Sequence, residues 1–160
     1  MEKRAEFVKA GRRILKLELR DNCAIGGEGL KEWRSDDHER FMASCRAGQW
    51  VEVGRTLRRD RVVSEPLAEC RRMSVRFPGS VVETRENLRW LPRRLTSALL
   101  LPGNVLFVLD DQAAIFNALD GADNRTEKQL FTDADLMKTC RNAFEAAWSL
   151  AVPHRDFRTA

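Results

Sequence analysis

Arginine and tryptophan side chains that could bind a partner are concentrated in residues 46–94. This stretch carries twelve basic and six acidic residues, whereas the whole 160-residue chain has a formal net charge of +4. Guanidinium groups bind carboxylate or phosphate oxygens in pairs, and tryptophan rings stack on bases or anchor protein interfaces. The candidate binding residues, called the Arg/Trp set below, are Arg58, Arg59, Arg61, Arg89, Trp90, Arg93 and Arg94.

Three interpretations of the Arg/Trp set remain open from the residue types alone. The arginines could form a solvated strand face paired with nearby glutamates. They could form a protein interface, where arginine and tryptophan are enriched. They could also hold a phosphate backbone while a tryptophan stacks on a base, although no DNA-reading motif is present. We favour the solvated strand face most, the protein interface next and nucleic-acid binding least.

The residues that could carry catalysis do not fall into a recognised spacing. The chain contains no GxSxG elbow, no GxxxxGK[ST] loop and no GxGxxG fingerprint. The glycine-rich stretch 26–29 lacks a following lysine and is interpreted as a loop. We therefore expect no catalytic residue and no cofactor, and we favour a protein that is not an enzyme.

Four aspartates near the middle of the chain could offer carboxylate oxygens to a divalent cation. They are Asp110, Asp111, Asp120 and Asp123. Aspartates in tight turns also bond their own backbone N–H groups, and we favour this role over a metal site. No metal is expected.

The four cysteines have no zinc-ligand spacing and no disulfide framework. They are Cys23, Cys45, Cys70 and Cys140, all far apart in the sequence. Each is interpreted as a reduced, partly buried thiol in a reducing compartment, and Cys140 falls on the apolar stripe of a helix.

Length and composition favour one domain over residues 1–160. Hydrophobic residues make up 43% and charged residues 32%, which excludes a disordered or low-complexity chain. No apolar run approaches the ~20 residues of a membrane span, and the basic N-terminus has no apolar core of a signal peptide. The expected location is the cytoplasm.

Hydrophobic periodicity predicts an α+β fold. Residues 105–109 read as a buried strand, 113–119 as its hairpin partner, and 128–131 as a third strand. Apolar residues recur at helical spacing from Leu136 to Ala151, after a capping Thr132-Asp133. The expected architecture is a small, mainly antiparallel sheet covered by this C-terminal helix, with shorter N-terminal helices.

The remaining elements are less regular. Residues 57–63 are predicted as a strand, or as part of a hairpin with a bulge at Gly54. Residues 88–91 are predicted as a short strand, and Pro66 is predicted to begin a short helix. Helices are predicted near 36–47 and over 3–13. Residues 14–19 alternate, so residues 1–20 are either one helix or a helix followed by a strand.

Four segments together resemble an actinobacterial family of uncharacterised proteins that is defined as a domain of unknown function. The segments are Arg61–Leu67, Leu88–Arg94, Leu101–Asn104 leading to Asp110-Asp111, and Ala143–Trp148 with Pro153-His154. The resemblance covers about residues 14–157. Members of that family are often encoded beside helix-turn-helix regulators of the XRE type, and sometimes near natural-product clusters, so the resemblance implies such a partner.

The C-terminal part is also distantly similar to half of a phospholipase D-type fold, which several transcription regulators use as a non-catalytic sensor. The chemistry of that fold needs an HxK pair, but His38 is followed by Glu39-Arg40 and His154 by Arg155-Asp156. The chain also departs from the family at Ala68–Cys70 and Val105–Val108, where the family favours aromatic or acidic residues.

The leading hypothesis is a non-enzymatic regulatory or interaction module. Its expected partner is a helix-turn-helix regulator, its contact surface is the Arg/Trp set, and a small ligand gates it. The first alternative is an enzyme or accessory protein of a natural-product pathway. The second alternative is nucleic-acid binding through the basic 46–94 segment. No membrane partner is expected under any of these hypotheses.

Overall fold

The strands of the computed structural model, which describes residues 11–22, 55–76 and 86–159, join in one sheet. The elements are β1 (Arg13–Glu18), β2 (Thr56–Val63), α1 (Glu69–Arg76), β3 (Glu86–Pro92), a 3-10 turn (Arg93–Leu95), β4 (Val105–Leu109), β5 (Ala113–Leu119), β6 (Arg125–Phe131), α2 (Ala134–Leu150) and β7 (Val152–Pro153).

The sheet has seven strands in the order β6-β5-β4-β1-β2-β3-β7. Strand β2 runs parallel to both β1 and β3, and the other pairs are antiparallel. The α+β class and the C-terminal helix are confirmed. The sheet itself is mixed and larger than the small, mainly antiparallel one expected, because the N-terminal half supplies parallel strands in its middle.

Strand β1 resolves the ambiguity at residues 14–19. It pairs with β2 and β4, and its side chains alternate between the two faces of the sheet. Leu17 packs with β-strand residues and with Phe144 of α2, so this side is called the helix face. Ile14 belongs to a separate cluster with Leu57 and Leu109 on the opposite side, called the far face.

Helix α2 covers the helix face, as its periodicity predicts. Met137, Cys140, Phe144, Ala147 and Trp148 are buried, at the three- and four-residue steps expected of one apolar stripe. The helix ends at Leu150, and Val152–Pro153 then pairs with β3 at the sheet edge, where proline is tolerated.

Asp133 caps the N-terminus of α2. Its carboxylate accepts a hydrogen bond from the Leu136 N–H at 2.8 Å. Replacing Asp133 with alanine is expected to lower the free energy of unfolding by about 1 kcal/mol, since the N–H group loses its acceptor. Chemical denaturation measures this. Asp135→Ala, on the exposed first turn, is the control, and an equal loss in both variants would contradict the cap.

The aspartates lie in tight connections as predicted, and bonding of the turn's own backbone is confirmed for Asp120. Asp110 accepts hydrogen bonds from the N–H groups of Arg12 and Arg13, which lead into β1. Asp120 accepts from the backbone of Ala122 and Asn124, and these bonds hold the pKa of Asp120 below its usual value. Asp110, Asp111 and Asp123 adopt positive φ, which aspartate tolerates in turns.

Other boundaries shift or lie outside the described residues. Helix α1 begins at Glu69, three residues after Pro66, and β6 begins at Arg125 rather than Lys128. Strands β2 and β3 are confirmed. The predicted helix 36–47 and most of the one over 3–13 lie outside the described residues.

The interpretation of all cysteines as reduced thiols is wrong for Cys70, whose sulfur is part of a disulfide bond. Wide sequence spacing could not reveal that contact. Among the described cysteines, Cys140 is a free thiol, and the predicted packing role is confirmed because its side chain is buried against the sheet. No helix in the described ranges is long and apolar enough to cross a membrane.

Candidate functional site

The Arg/Trp set does not form one surface. Neighbouring residues in a strand point to opposite faces, so the set divides between them. Arg58 and Arg89 lie on the helix face, whereas Arg59, Arg61 and Trp90 lie on the far face. Arg93 and Arg94 lie beyond β3, in the 3-10 turn. The sheet therefore does not bring these seven residues together in one contact surface. Their binding role stays a prediction.

On the helix face, two arginines attach α2 to the sheet. The Arg58 guanidinium donates to both oxygens of Glu145, at 2.6 and 2.9 Å, and lies 4.6 Å from the centre of the Trp148 ring. Arg89 lies 4.4 Å from the same ring and donates to the Trp148 carbonyl oxygen at 3.1 Å. Both cations therefore stabilise the helix–sheet contact.

Asp60 lies between these arginines on β2 and is fully buried. It is aligned with Leu17 and Arg89 on the neighbouring strands, and neither carboxylate oxygen has a hydrogen-bond partner. Burial raises the pKa of Asp60 to about 7, although the positive charge of Arg89 opposes the rise. This carboxyl group therefore titrates near neutral pH.

On the far face, a buried carboxylate is surrounded by cations. The Arg61 Nε donates to Glu18 Oε2 at 2.9 Å. Glu18 Oε1 lies 3.5 Å from the Lys16 Nζ, 3.9 Å from the Arg20 Nε and 3.6 Å from an Arg71 terminal nitrogen. These five residues are called the Glu18 cluster: Lys16, Glu18, Arg20, Arg61 and Arg71.

Topology brings the Glu18 cluster together from three elements. Lys16 and Glu18 alternate along β1, Arg61 is aligned with Glu18 across the parallel β1–β2 pair, and Arg71 comes from α1. The side chains of Glu18 and Arg71 are almost completely buried, at 5% and 2% exposure. Buried charges of this kind need compensation by partners, because water is excluded.

The electrostatics of the cluster show a surplus of positive charge. Burial alone would raise the pKa of Glu18, but Lys16, Arg61 and Arg71 outweigh it and hold that pKa well below the usual value. Burial lowers the pKa of Arg71 to about 10; Glu18 opposes this fall, and repulsion by Arg61 and Arg20 adds to it. Glu18 and Arg71 are therefore both charged at neutral pH.

Three buried guanidinium nitrogens in the cluster have no hydrogen-bond partner. They are the Arg20 Nε, one terminal nitrogen of Arg61 and the Arg71 Nε. Buried donors are normally satisfied, so these three open donors call for an explanation.

Trp90 connects the cluster to the C-terminal segment. Its ring lies 5.2 Å from the Arg61 guanidinium carbon and stacks on Phe157 with centroids 5.3 Å apart. Its Nε1–H donates to the His154 Nδ1 at 2.7 Å. Trp90 is completely buried, so its ring is not open for stacking on a base in this conformation.

The turn after β3 forms a corner of the molecule. Arg93 is anchored there, donating to the Ser64 hydroxyl and the Leu19 carbonyl oxygen. The Arg94 side chain is 69% exposed and paired with Glu65 at 3.0 Å. Leu95 is 42% exposed and Leu100 is 97% exposed. The exposed corner is defined here as Arg94, Leu95 and Leu100.

Sequence reasoning missed Glu18, Arg20 and Arg71. The alternation Lys16-Glu18-Arg20 was visible, and it would have placed these charges on one strand face. The pairing of β1 with β2, and the position of α1 beside them, depend on contacts between residues some 40 to 50 positions apart. No local pattern reports such contacts. Among the described residues, no group of histidine, cysteine, aspartate and glutamate is arranged to hold a metal.

Comparison with protein families identifies one match over nearly the whole chain. The profile described as "Domain of unknown function (DUF6879)" matches residues 2–159, and the chain belongs to that family. The comparison with curated proteins gives no match. Family membership is thus established, and the description of the family names no activity.

Proposed function

We propose that this member of the DUF6879 family is a non-enzymatic regulatory module that binds a protein partner under the control of a small ligand. The proposed partner is a helix-turn-helix transcription regulator, which the family resemblance leads us to expect. The observation that carries the proposal is the exposed corner, where an arginine and two leucines project from an ordered loop.

The loop is ordered because its other residues are anchored. Leu99 and Leu101 pack against the main core, so Leu100 between them points outward. The Thr96 N–H donates to the Arg93 carbonyl oxygen, and the Leu99 N–H donates to that of Thr96. A preordered loop loses little conformational entropy on binding, and burying a leucine contributes roughly 1.5–3 kcal/mol. These properties suit an interface anchor.

The neighbouring arginines support a protein partner over nucleic acid. Arg58, Arg89 and Arg93 bond to acceptors within the chain. A phosphate backbone would need several exposed, uncommitted cations. Arginine beside exposed apolar residues is the composition of protein interfaces.

The double substitution Arg94→Glu with Leu100→Asp is expected to abolish capture of the partner while leaving the fold intact. Both side chains are exposed, so their loss has little effect on the core. The tagged protein is captured gently from its native lysate, and native mass spectrometry identifies what is bound. We expect a helix-turn-helix regulator at fixed stoichiometry with the unmodified protein.

Arg125→Glu, an exposed charge reversal on β6, is the matched control and should retain the regulator. Equal capture by the double variant would remove the exposed corner from the proposal. Salt-sensitive recovery of nucleic acid without a regulator would overturn the proposal in favour of nucleic-acid binding.

A further inference from the structure

We propose that the Glu18 cluster is the binding site of a compact oxyanion, a phosphate or phosphoryl group, held by Arg20, Arg61 and Arg71. The inference gives the chemical class of the small ligand in the proposed function. Only the regulatory role of that ligand rests on the proposed function. The binding site itself follows from charge, burial and hydrogen-bond geometry on the far face of the sheet.

The charge balance is the first argument. Arg20, Arg61 and Arg71 form their ion pairs with the same carboxylate, Glu18, and with no other acid among the described residues. Three guanidinium charges thus share one negative charge, even without counting Lys16. Collecting like charges in a buried site is costly, and a bound anion would offset that cost.

The open donors are the second argument. Each of the three arginines has already used part of its guanidinium: Arg20 donates to the Asp123 carbonyl oxygen, Arg61 to Glu18, and Arg71 to the Arg20 carbonyl oxygen. These contacts fix the side chains, yet one buried N–H-bearing nitrogen on each has no acceptor. The donors are preorganised, which is the condition for tight anion binding.

The number of donors selects the class of ligand. Three guanidinium groups, from the segment after β1, from β2 and from α1, match a group with several acceptor oxygens and more than one negative charge. Phosphate and phosphoryl groups have both properties, and arginine binds them in bidentate geometry. A monocarboxylate such as acetate would only duplicate Glu18, so we expect it to bind weakly.

Glu18 holds the arginines in place but also repels an incoming anion. Replacing Glu18 with glutamine should therefore destabilise the protein without ligand and strengthen phosphate binding. If Glu18 and its arginines were merely a structural ion-pair network, the unmodified protein would show no saturable phosphate binding. Saturable binding by the unmodified protein that strengthens in Glu18→Gln is therefore the result expected of an oxyanion site.

The test titrates inorganic phosphate, methyl phosphate and acetate into the full chain at constant ionic strength set with chloride. Isothermal calorimetry gives the affinity, and thermal unfolding gives the stabilisation. We expect saturable binding of phosphate and a rise in Tm, with acetate at least about tenfold weaker. Methyl phosphate distinguishes a free phosphate site from one that accepts phosphate esters, and either selectivity supports the oxyanion site. No saturable binding of either phosphate compound would overturn the proposal.

Two variants locate the site. Arg20→Gln is expected to weaken phosphate binding about tenfold, since one charge-assisted contact is lost. Arg125→Gln, at an exposed arginine of β6, is the control and should bind phosphate as the unmodified protein does. If Glu18→Gln does not fold, Arg20→Gln still decides the matter, because equal weakening in Arg20→Gln and Arg125→Gln would mean non-specific charge binding and overturn the site.

The outcomes distinguish this inference from the proposed function. Phosphate binding is measured on the isolated chain, whereas regulator capture is measured with the partner present. Loss of capture in the exposed-corner variant with unchanged phosphate affinity would support both. Capture without any phosphate binding would leave the partner proposal standing and remove the oxyanion site.

Discussion

Replacing Asp60 with asparagine is expected to stabilise the protein near pH 8 and to have little effect near pH 4. The pKa of Asp60 is raised from 3.8 to about 7 by burial, so the folded state favours the neutral carboxyl group. Asparagine has almost the same shape and cannot ionise. A shift of this size corresponds to about 4 kcal/mol once both folded and unfolded states are ionised.

The sign follows from the direction of the shift. Below pH 4 the carboxyl group is protonated in both states, and the ionisation of Asp60 costs nothing. Between pH 4 and 7 it ionises in the unfolded state first, so the free energy of unfolding falls as pH rises. Above pH 7 the penalty is complete and constant. The Asp60→Asn variant should lack this slope.

Urea denaturation at a series of pH values measures the effect. Asp156→Asn is the control, because the Asp156 side chain is 58% exposed and should leave the pH profile unchanged. Parallel stability profiles for the unmodified protein and Asp60→Asn would show that the buried carboxyl group is not the source of any pH dependence.

Replacing Phe144 with alanine is expected to lower the free energy of unfolding by roughly 3–5 kcal/mol. Phe144 is fully buried at the centre of α2, stacks on Trp148 with ring centres 5.5 Å apart, and lies 5.0 Å from the Arg58 guanidinium carbon. The substitution leaves a cavity between helix and sheet and removes part of the surface on which Arg58 rests.

Glu145→Ala on the next residue separates packing from charge. Glu145 pairs with Arg58, but its side chain is 47% exposed, so we expect a loss below about 1 kcal/mol. Denaturant titrations of both variants give the comparison. A larger loss in Glu145→Ala than in Phe144→Ala would mean that the ion pair, rather than apolar burial, holds α2 on the sheet.

The C-terminal half could be predicted from the sequence because its elements are contiguous. Strands β4, β5 and β6 follow one another through short turns, and Asp110, Asp111 and Asp120 perform the turn roles that their residue type favours. Helix α2 combines a capping aspartate with an apolar stripe in one uninterrupted segment. Each of these signals lies within a few residues of the element it specifies.

The candidate sites could not be predicted in the same way. Arg58 and Arg61 are three residues apart in the sequence. Arg58 nevertheless pairs with Glu145 of α2, whereas Arg61 pairs with Glu18 on the far face of the sheet. A linear cluster of arginines therefore predicts one surface, but strand alternation divides its members between the two faces of the sheet. Arg71 joined the site from a different element, without any feature that marked it in advance.

The sequence by itself determined the α+β class, the order of the C-terminal strands and the helix that covers them. It did so because hydrophobic periodicity and turn chemistry act over short distances along the chain. Tertiary structure alone decided the parallel pairing of β1, β2 and β3, the burial of Asp60 and Glu18, and the gathering of arginines around one carboxylate. These features depend on which distant segments meet, and burial then sets the charge state and the open donors of each group.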